Sequence, residues 1–277
     1  MADPSSEQSA RPSLTEREVL DVEERAQPRT PVIYEVVRRQ GDEELSRPLT
    51  SLWWSGLAAG LSISFSLLAE GVLRMRLPDA SWRPLVEAMG YPVGFLMVIL
   101  SRQQLFTENT ITVVLPVMRE PSAKNFWRLA RLWSVVFLAN MAGTLISAVF
   151  CRFAPTLTPE TRDAMLEISR EMMANPAGLM FFKGIASGFL IATMVWAIPS
   201  ADAAKFHIIA LMTYLIAIGG FTHIVAGSME AFLLLVNGEL PPSAALIDFI
   251  LPVLGGNIVG GTVLFALISY AQVMKEI

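Results

Sequence analysis

Thiol and imidazole side chains are scarce in this chain. Its 277 residues include one cysteine, Cys151, and two histidines, His207 and His223. A single cysteine excludes a disulfide within the chain, a cysteine zinc site and an iron–sulfur cluster. Neither a metal-ligand set nor a Ser/His/Asp order stands at usable spacing, so the sequence points away from an enzyme and implies no cofactor. Charge is thin as well: 17% of residues are charged, and the net charge is −4. No nucleic-acid partner is expected. The first thirty residues lack the apolar core of a signal peptide. Rich in Ser, Pro, Glu and Arg, they read as a disordered cytoplasmic tail.

What the chain does have is apolar length. It is 53% hydrophobic with a mean hydropathy of +0.50, which fits a polytopic helical membrane protein and excludes an ordinary soluble globule. Apolar runs predict six spans near residues 51–73, 91–117, 126–151, 178–199, 206–236 and 244–273. Residues 1–47 form an N-terminal segment ahead of a six-helix domain over 48–277. Val32, Ile33, Val36 and Val37 share one helical face beside Arg38 and Arg39, which predicts a short juxtamembrane helix. An even number of spans puts both termini on one side. Nine basic residues flanking the spans on that side, against seven on the other, place it in the cytoplasm.

Two of the spans are interrupted. Leu105-Phe106-Thr107-Glu108-Asn109-Thr110 breaks the second, after the polar run Arg102-Gln103-Gln104. In the fifth, Gly219-Gly220 ends one helix and a new one starts after His223. Leu105 and His223 are 118 positions apart, and Asn140-Met-Ala-Gly143 recurs as Asn257-Ile-Val-Gly260 at an offset of 117. Two matches at nearly one offset predict a duplicated three-helix unit, with repeats over about 51–151 and 178–273. Backbone without helical pairing is expensive in lipid and survives against protein or a polar pathway, so paired interruptions point to a transport site. Asn140 and Asn257 are candidates to bond the frayed ends of the broken helices. Small residues beside them (Ala139, Ala142 and Gly143; Gly255, Gly256, Gly260 and Gly261) suit close helix packing. Asn175-Pro176-Ala177 spells a water-channel triplet without a second copy, and reads as a helix cap followed by Pro at the first helical position.

At this point the residues resemble the formate/nitrite transporter family. Gln104-Leu-Phe-Thr-Glu-Asn-Thr110, Gly220-Phe-Thr-His-Ile-Val-Ala226 and Leu251-Pro-Val-Leu-Gly-Gly-Asn-Ile-Val-Gly-Gly261 carry the match, with Phe137-Leu-Ala-Asn-Met-Ala-Gly143 in support. The resemblance covers roughly residues 45–273. It implies an all-α, aquaporin-like fold of six transmembrane helices in an inverted repeat, with helices two and five broken. It further implies a pore in each protomer, a homopentamer, and residence in a bacterial inner membrane. His223 would be the central histidine, with Leu105, Phe106 and Thr107 on the constriction loop. Tyr91, Phe95, Ile216 and Thr222 would complete the pathway.

The sequence departs from the family pattern at several positions. Gln104 and Thr222 stand where the family has acids, and Gly188 and Gly227 where it often has asparagine. Arg102, Glu108 and Glu230 bring charge to usually neutral positions, and Glu70 is a further intramembrane acid. Arg102 and Glu108 are expected to form a buried pair. The implied function is a channel or transporter for a small monovalent weak-acid anion, linked to a proton through His223. Histidine suits that task because its reference pKa of about 6.5 lies within physiological reach. The alternatives are a pore for a small neutral or cationic solute, and a non-conducting membrane protein on the same fold.

Overall fold

Polar and glycine-rich interruptions decide where the helices stop. The computed structural model describes residues 27–276 and, before them, Leu14, Thr15, Arg17, Glu18 and Val22. The tail expected to be disordered lies largely outside these residues. Ten helices are numbered here: α1 (Thr30–Ser46), α2 (Leu49–Arg76, with a turn at Ser64), α3 (Arg83–Leu100), α4 (Val114–Arg119) and α5 (Ala123–Phe153) form the first part. The second part is α6 (Pro159–Met173), α7 (Ala177–Ala197), α8 (Lys205–Ile218), α9 (Ile224–Val236) and α10 (Pro242–Val273). No strand occurs among the described residues. Five helical stretches are long and apolar enough to cross a membrane: α2, α3, α5, α7 with its 3₁₀ extension to Ser200, and α10. Helix α9 is apolar but only 13 residues long.

The two breaks share their backbone bonds. After α3, the amides of Ser101, Arg102 and Gln103 donate to the carbonyls of Met97, Ile99 and Val98. After α8, those of Gly219, Gly220 and Phe221 donate to Leu215, Ala217 and Ile216, each pair displaced by 118. Both turns need a left-handed residue at the same place. Gly220 supplies it at φ +59°, and Arg102 adopts it at φ +53°.

Packing repeats in the same way. Helix α2 lies against α5, and α7 against α10. A Cβ on Gly60 would collide with the Asn140 carbonyl, and one on Gly188 with the Asn257 carbonyl. Gly188 therefore holds its position because the backbone of α10 occupies the space of a side chain. Helix α10 accommodates its glycines and Pro252 with two π-helical stretches, Ala245–Ile250 and Val259–Ala266. Helix α1 closes one end: Tyr34, Val37 and Leu45 are buried, and Gly41 sits on the Thr112 carbonyl.

The Asn-Pro-Ala triplet is displaced by one residue from the expected cap. Pro176 itself takes the cap position of α7. Asn175 instead closes α6: its Nδ2 donates to the Met172 carbonyl at 2.7 Å, and its Oδ1 accepts from Lys183 Nζ at 2.8 Å.

Candidate functional site

Each break is held by one buried asparagine. Asn140 Oδ1 accepts the Phe106 amide at 2.9 Å, and its Nδ2 donates to the carbonyls of Gly56 (2.8 Å) and Gln104 (2.9 Å). Asn257 Oδ1 accepts the Ile224 amide at 2.9 Å, and its Nδ2 donates to Gly184 (2.9 Å) and Thr222 (3.0 Å). Both amides are fully buried. Backbone groups that leave the helical ladder inside a dry interior need such partners; each asparagine satisfies two of them and ties them to a carbonyl of the helix alongside, Gly56 of α2 or Gly184 of α7.

With the breaks fixed, two side chains meet. His223 caps α9, its Nδ1 accepting the Ala226 amide at 3.1 Å, while Nε2 lies 2.7 Å from Thr107 Oγ1. A ring nitrogen that accepts carries no proton, so the neutral imidazole is protonated at Nε2 and donates to the threonine hydroxyl. The hydroxyl hydrogen of Thr107 then stays available to another acceptor. His223 is 1% exposed and Thr107 is fully buried. Phe95 packs edge-on against the imidazole at 4.9 Å, and Tyr91 against Phe95 at 5.1 Å.

Two cavities lie on either side of this cluster, and they share no lining residue. One, of about 410 Å³, is lined by Leu105, Gln104, Ile99, Arg102 and Glu108, and by Glu44 of α1. The other, of about 310 Å³, is lined by Tyr91, Thr222, Glu70 and Glu230. Along α3, Tyr91, Phe95 and Ile99 recur every four residues on one face, running from the second cavity to the first. At ~1.5 Å per residue, the sealed section between them is about 12 Å long. Ile216 is buried on α8 and lines neither cavity. Phe106 also lines neither. Its ring packs against Trp133 (5.7 Å) and Phe137 (5.4 Å) of α5, so it anchors the break instead of facing a cavity.

The expected Arg102–Glu108 pair is absent among the described residues. Arg102 is exposed and forms no ion pair, because the left-handed turn at its Cα directs it outward. Gln104 is tied elsewhere: its Nε2 donates to Glu44 Oε2 at 2.6 Å and its Oε1 accepts from Asn109 at 3.1 Å. Arg47 holds the same Glu44 at 2.9 Å.

Both cavities are rich in carboxylates. Glu44, Glu108 and Asp202 accompany Arg102 and Lys205 in the first. In the second, Arg74 bridges Glu87 and Glu171, with N–O distances of 2.8–2.9 Å. Sequence inspection alone singled out Glu70 and Glu230 but not this triad. The available signal was Glu87, one helical turn before Tyr91.

Comparison with known proteins agrees with this architecture. The formate/nitrite transporter family pattern matches residues 31–271. The inner membrane protein YfdC of Escherichia coli K12 is 48% identical over 254 residues, which cover 92% of this chain and 82% of that protein. The nitrite transporter NirC of Salmonella typhimurium is 26% identical over 63% of this chain and 64% of its own. Among solved structures, a pentameric formate channel with formate bound superposes with a TM-score of 0.70 at 20% identity, over 82% of this chain and 98% of that one. An FNT family ion channel gives 0.74 at 22% identity, over 88% and 98%. Helices of spanning length, paired asparagine-held breaks and a match over most of its length make this chain a member of the formate/nitrite transporter family.

Proposed function

We propose that the chain is a channel or transporter for a small monovalent weak-acid anion of the formate or nitrite kind, with passage linked to a proton through His223. The observation that carries this reading is the Thr107–His223 hydrogen bond, which joins the two breaks between two cavities. A bare anion in the sealed section pays several kcal/mol of desolvation. Three features oppose that cost there: the positive end of the α9 dipole, the Thr107 hydroxyl and the imidazole. Protonation removes most of it, since a neutral acid crosses an apolar constriction far more easily. Leu105, Phe95, Tyr91, Ile216 and Thr222 complete the pathway in this reading, and Phe106 supports it from behind.

The membrane arrangement follows the same reading. Six spans form two inverted repeats: α2, α3 with α4, and α5, then α7, α8 with α9, and α10. Both termini face the cytoplasm. The bacterial inner membrane is the site, as the name of the E. coli relative states for that protein. The assembly is a homopentamer, as the formate channel is. Exposed apolar side chains such as Ile146, Phe150 and Phe153 on α5 supply surface for lipid and neighbouring subunits.

Uptake of formate and nitrite into proteoliposomes at several pH values tests the proposal. His223→Ala is expected to abolish pH-dependent uptake, and unchanged uptake at every pH would reject the role. The carboxylates lining both cavities favour a second reading, a pore for a neutral or cationic solute. Reversal potentials under anion and cation substitution separate the two.

A further inference from the structure

The second cavity contains two acids that no cation answers. Glu70 on α2 and Glu230 on α9 are each only 8% exposed, line this cavity, and form no hydrogen bond or ion pair among the described residues. Tyr91, itself 7% exposed and lining the same space, likewise forms no hydrogen bond through its hydroxyl among the described residues. The cations at this cavity are engaged elsewhere. Arg74 of α2 spends its guanidinium on Glu87 of α3 and Glu171 of α6. Lys183 of α7 donates to Asn175. Two carboxylates that line one cavity without counter-charge are costly to ionise together, which places them to hold a proton.

Placement gives that proton a use. Glu230 lies seven residues after His223 on α9, two turns along the same face. Glu70 backs onto the start of the α3 pathway face: Ser66, one turn before it, donates to the Tyr91 carbonyl at 2.6 Å, and Gly90 packs on the Glu70 backbone. Tyr91 and Phe95 then lead to the imidazole. For His223 to link passage to a proton, a group outside the sealed section must load that proton. Charging Nδ1 breaks the cap on the Ala226 amide, whereas releasing the Nε2 proton leaves an imidazolate.

We propose that Glu70 and Glu230 form a proton-holding carboxyl pair that protonates the weak-acid anion in this cavity before it enters the sealed section. The O–H bond of one carboxylic acid breaks and a new O–H bond forms on the anion. A glutamate carboxylate and a neutral acid result, and a hydronium ion from the solution on that side returns a proton to the carboxylate and leaves water. The proposal rests on the weak-acid reading of function and names the group that loads the proton.

Two readouts on the full chain separate the proposal from that reading. Infrared difference spectra between about pH 5 and pH 8 report the C=O stretch of a protonated carboxyl. The wild type is expected to show this band, Glu70→Gln/Glu230→Gln to lack it, and the Asp/Asp variant, which keeps both acids, to retain it. In proteoliposomes, formate uptake driven from the side of this cavity is expected to fall on the order of tenfold at neutral pH in the Gln/Gln variant, the equivalent of about one pKa unit. The Asp/Asp variant is expected to recover it. A spectrum identical in wild type and Gln/Gln overturns the pair, and so does a lost band with an unchanged pH profile of uptake. Wild-type protein that moves no weak acid would reject the functional reading instead, while the infrared band still reports whether the pair holds a proton. Single Glu230→Gln protein carries both measurements if the double variant does not fold.

Discussion

Thr107 and His223 are 116 residues apart in sequence, and their side chains meet at 2.7 Å. Each stands on a segment where a helix has been interrupted, and neither segment could hold its shape alone. The contact exists because Asn140 and Asn257 tie the two loops to α5 and α10 through the same three hydrogen bonds. The imidazole thus serves both broken segments at once: Nδ1 caps α9, and Nε2 points at the other loop.

That double role separates two substitutions. His223→Ala removes both the cap and the proton-bearing nitrogen, and loss of a cap costs about 1 kcal/mol. Asparagine is a good capping residue without a titratable nitrogen. His223→Asn is therefore expected to keep the wild-type melting temperature in detergent more closely than His223→Ala, while both lose pH-dependent uptake. Thr107→Val retains the volume but leaves the buried Nε2 proton without an acceptor, so reduced uptake together with a stability loss of about 1–3 kcal/mol is expected. Full uptake by Thr107→Val would show that this hydroxyl takes no part.

The asparagines should rank among the costliest polar positions to replace. Leucine at either site leaves one amide and one carbonyl of the break buried without partners, each costing ~1–3 kcal/mol, and removes a further bond to a helical carbonyl. A loss of about 3 kcal/mol or more is expected for both Asn140→Leu and Asn257→Leu. Thermal unfolding of the solubilised protein checks this, and the two losses should be of similar size because the two bond sets match. A large loss at one site alone would mean that the breaks are energetically unequal despite their geometry.

Much of this was legible in the chain. Gly219-Gly220 and the polar run at Arg102 mark helix ends by simple chemistry, and the offsets of 118 and 117 align the two halves without coordinates. The contacts that escaped were those set by distant elements. Gln104 bonds Glu44, 60 positions away on α1, and no local pattern announces this. Arg102 and Glu108 looked like a pair because they are six residues apart around a break. The backbone turn at Arg102 separates them. Glu70 and Glu230 could be placed near span ends, but whether they face a cavity depends on how α2 and α9 rotate against α3, which only packing decides.

Helix α1, which is not among the helices of spanning length, offers a pH test. Glu35 accepts from Arg38 at 2.8 and 2.9 Å and from Arg39 at 2.7 Å, and Arg119 of α4 reaches it at 3.3 Å. Hydrogen bonds from Arg38 above all, outweighing the opposing effect of burial and joined by Arg39, hold its carboxyl down at about 2, against an ordinary 4.5. A depressed folded value stabilises the protein above the unfolded value, and the benefit fades as pH falls from about 4.5 toward 2. The melting-temperature gap between wild type and Glu35→Gln is therefore expected to be constant above about pH 5 and to close on acidification through that window. A gap that stays constant down to pH ~2 would place the value of Glu35 in its packing, not its charge.

Arg102 and Gly220 occupy the same position in the two breaks, both left-handed, and they should respond oppositely to substitution. A left-handed conformation costs a residue with a Cβ roughly 1–2 kcal/mol, a cost that glycine escapes. The Arg102 side chain has no hydrogen bond or ion pair among the described residues to lose. Arg102→Gly is thus expected to stabilise by up to ~1 kcal/mol after glycine's extra unfolded-state entropy is subtracted. Gly220→Ala acquires the cost outright and should destabilise by roughly 1–2 kcal/mol, since only Lys183 Nζ, at 3.7 Å, lies near the added methyl and crowding adds little. Thermal midpoints of the two variants decide the matter. If both fall together, Arg102 contributes something at the mouth of the first cavity that outweighs its backbone strain, and uptake by Arg102→Gly would then fall with stability.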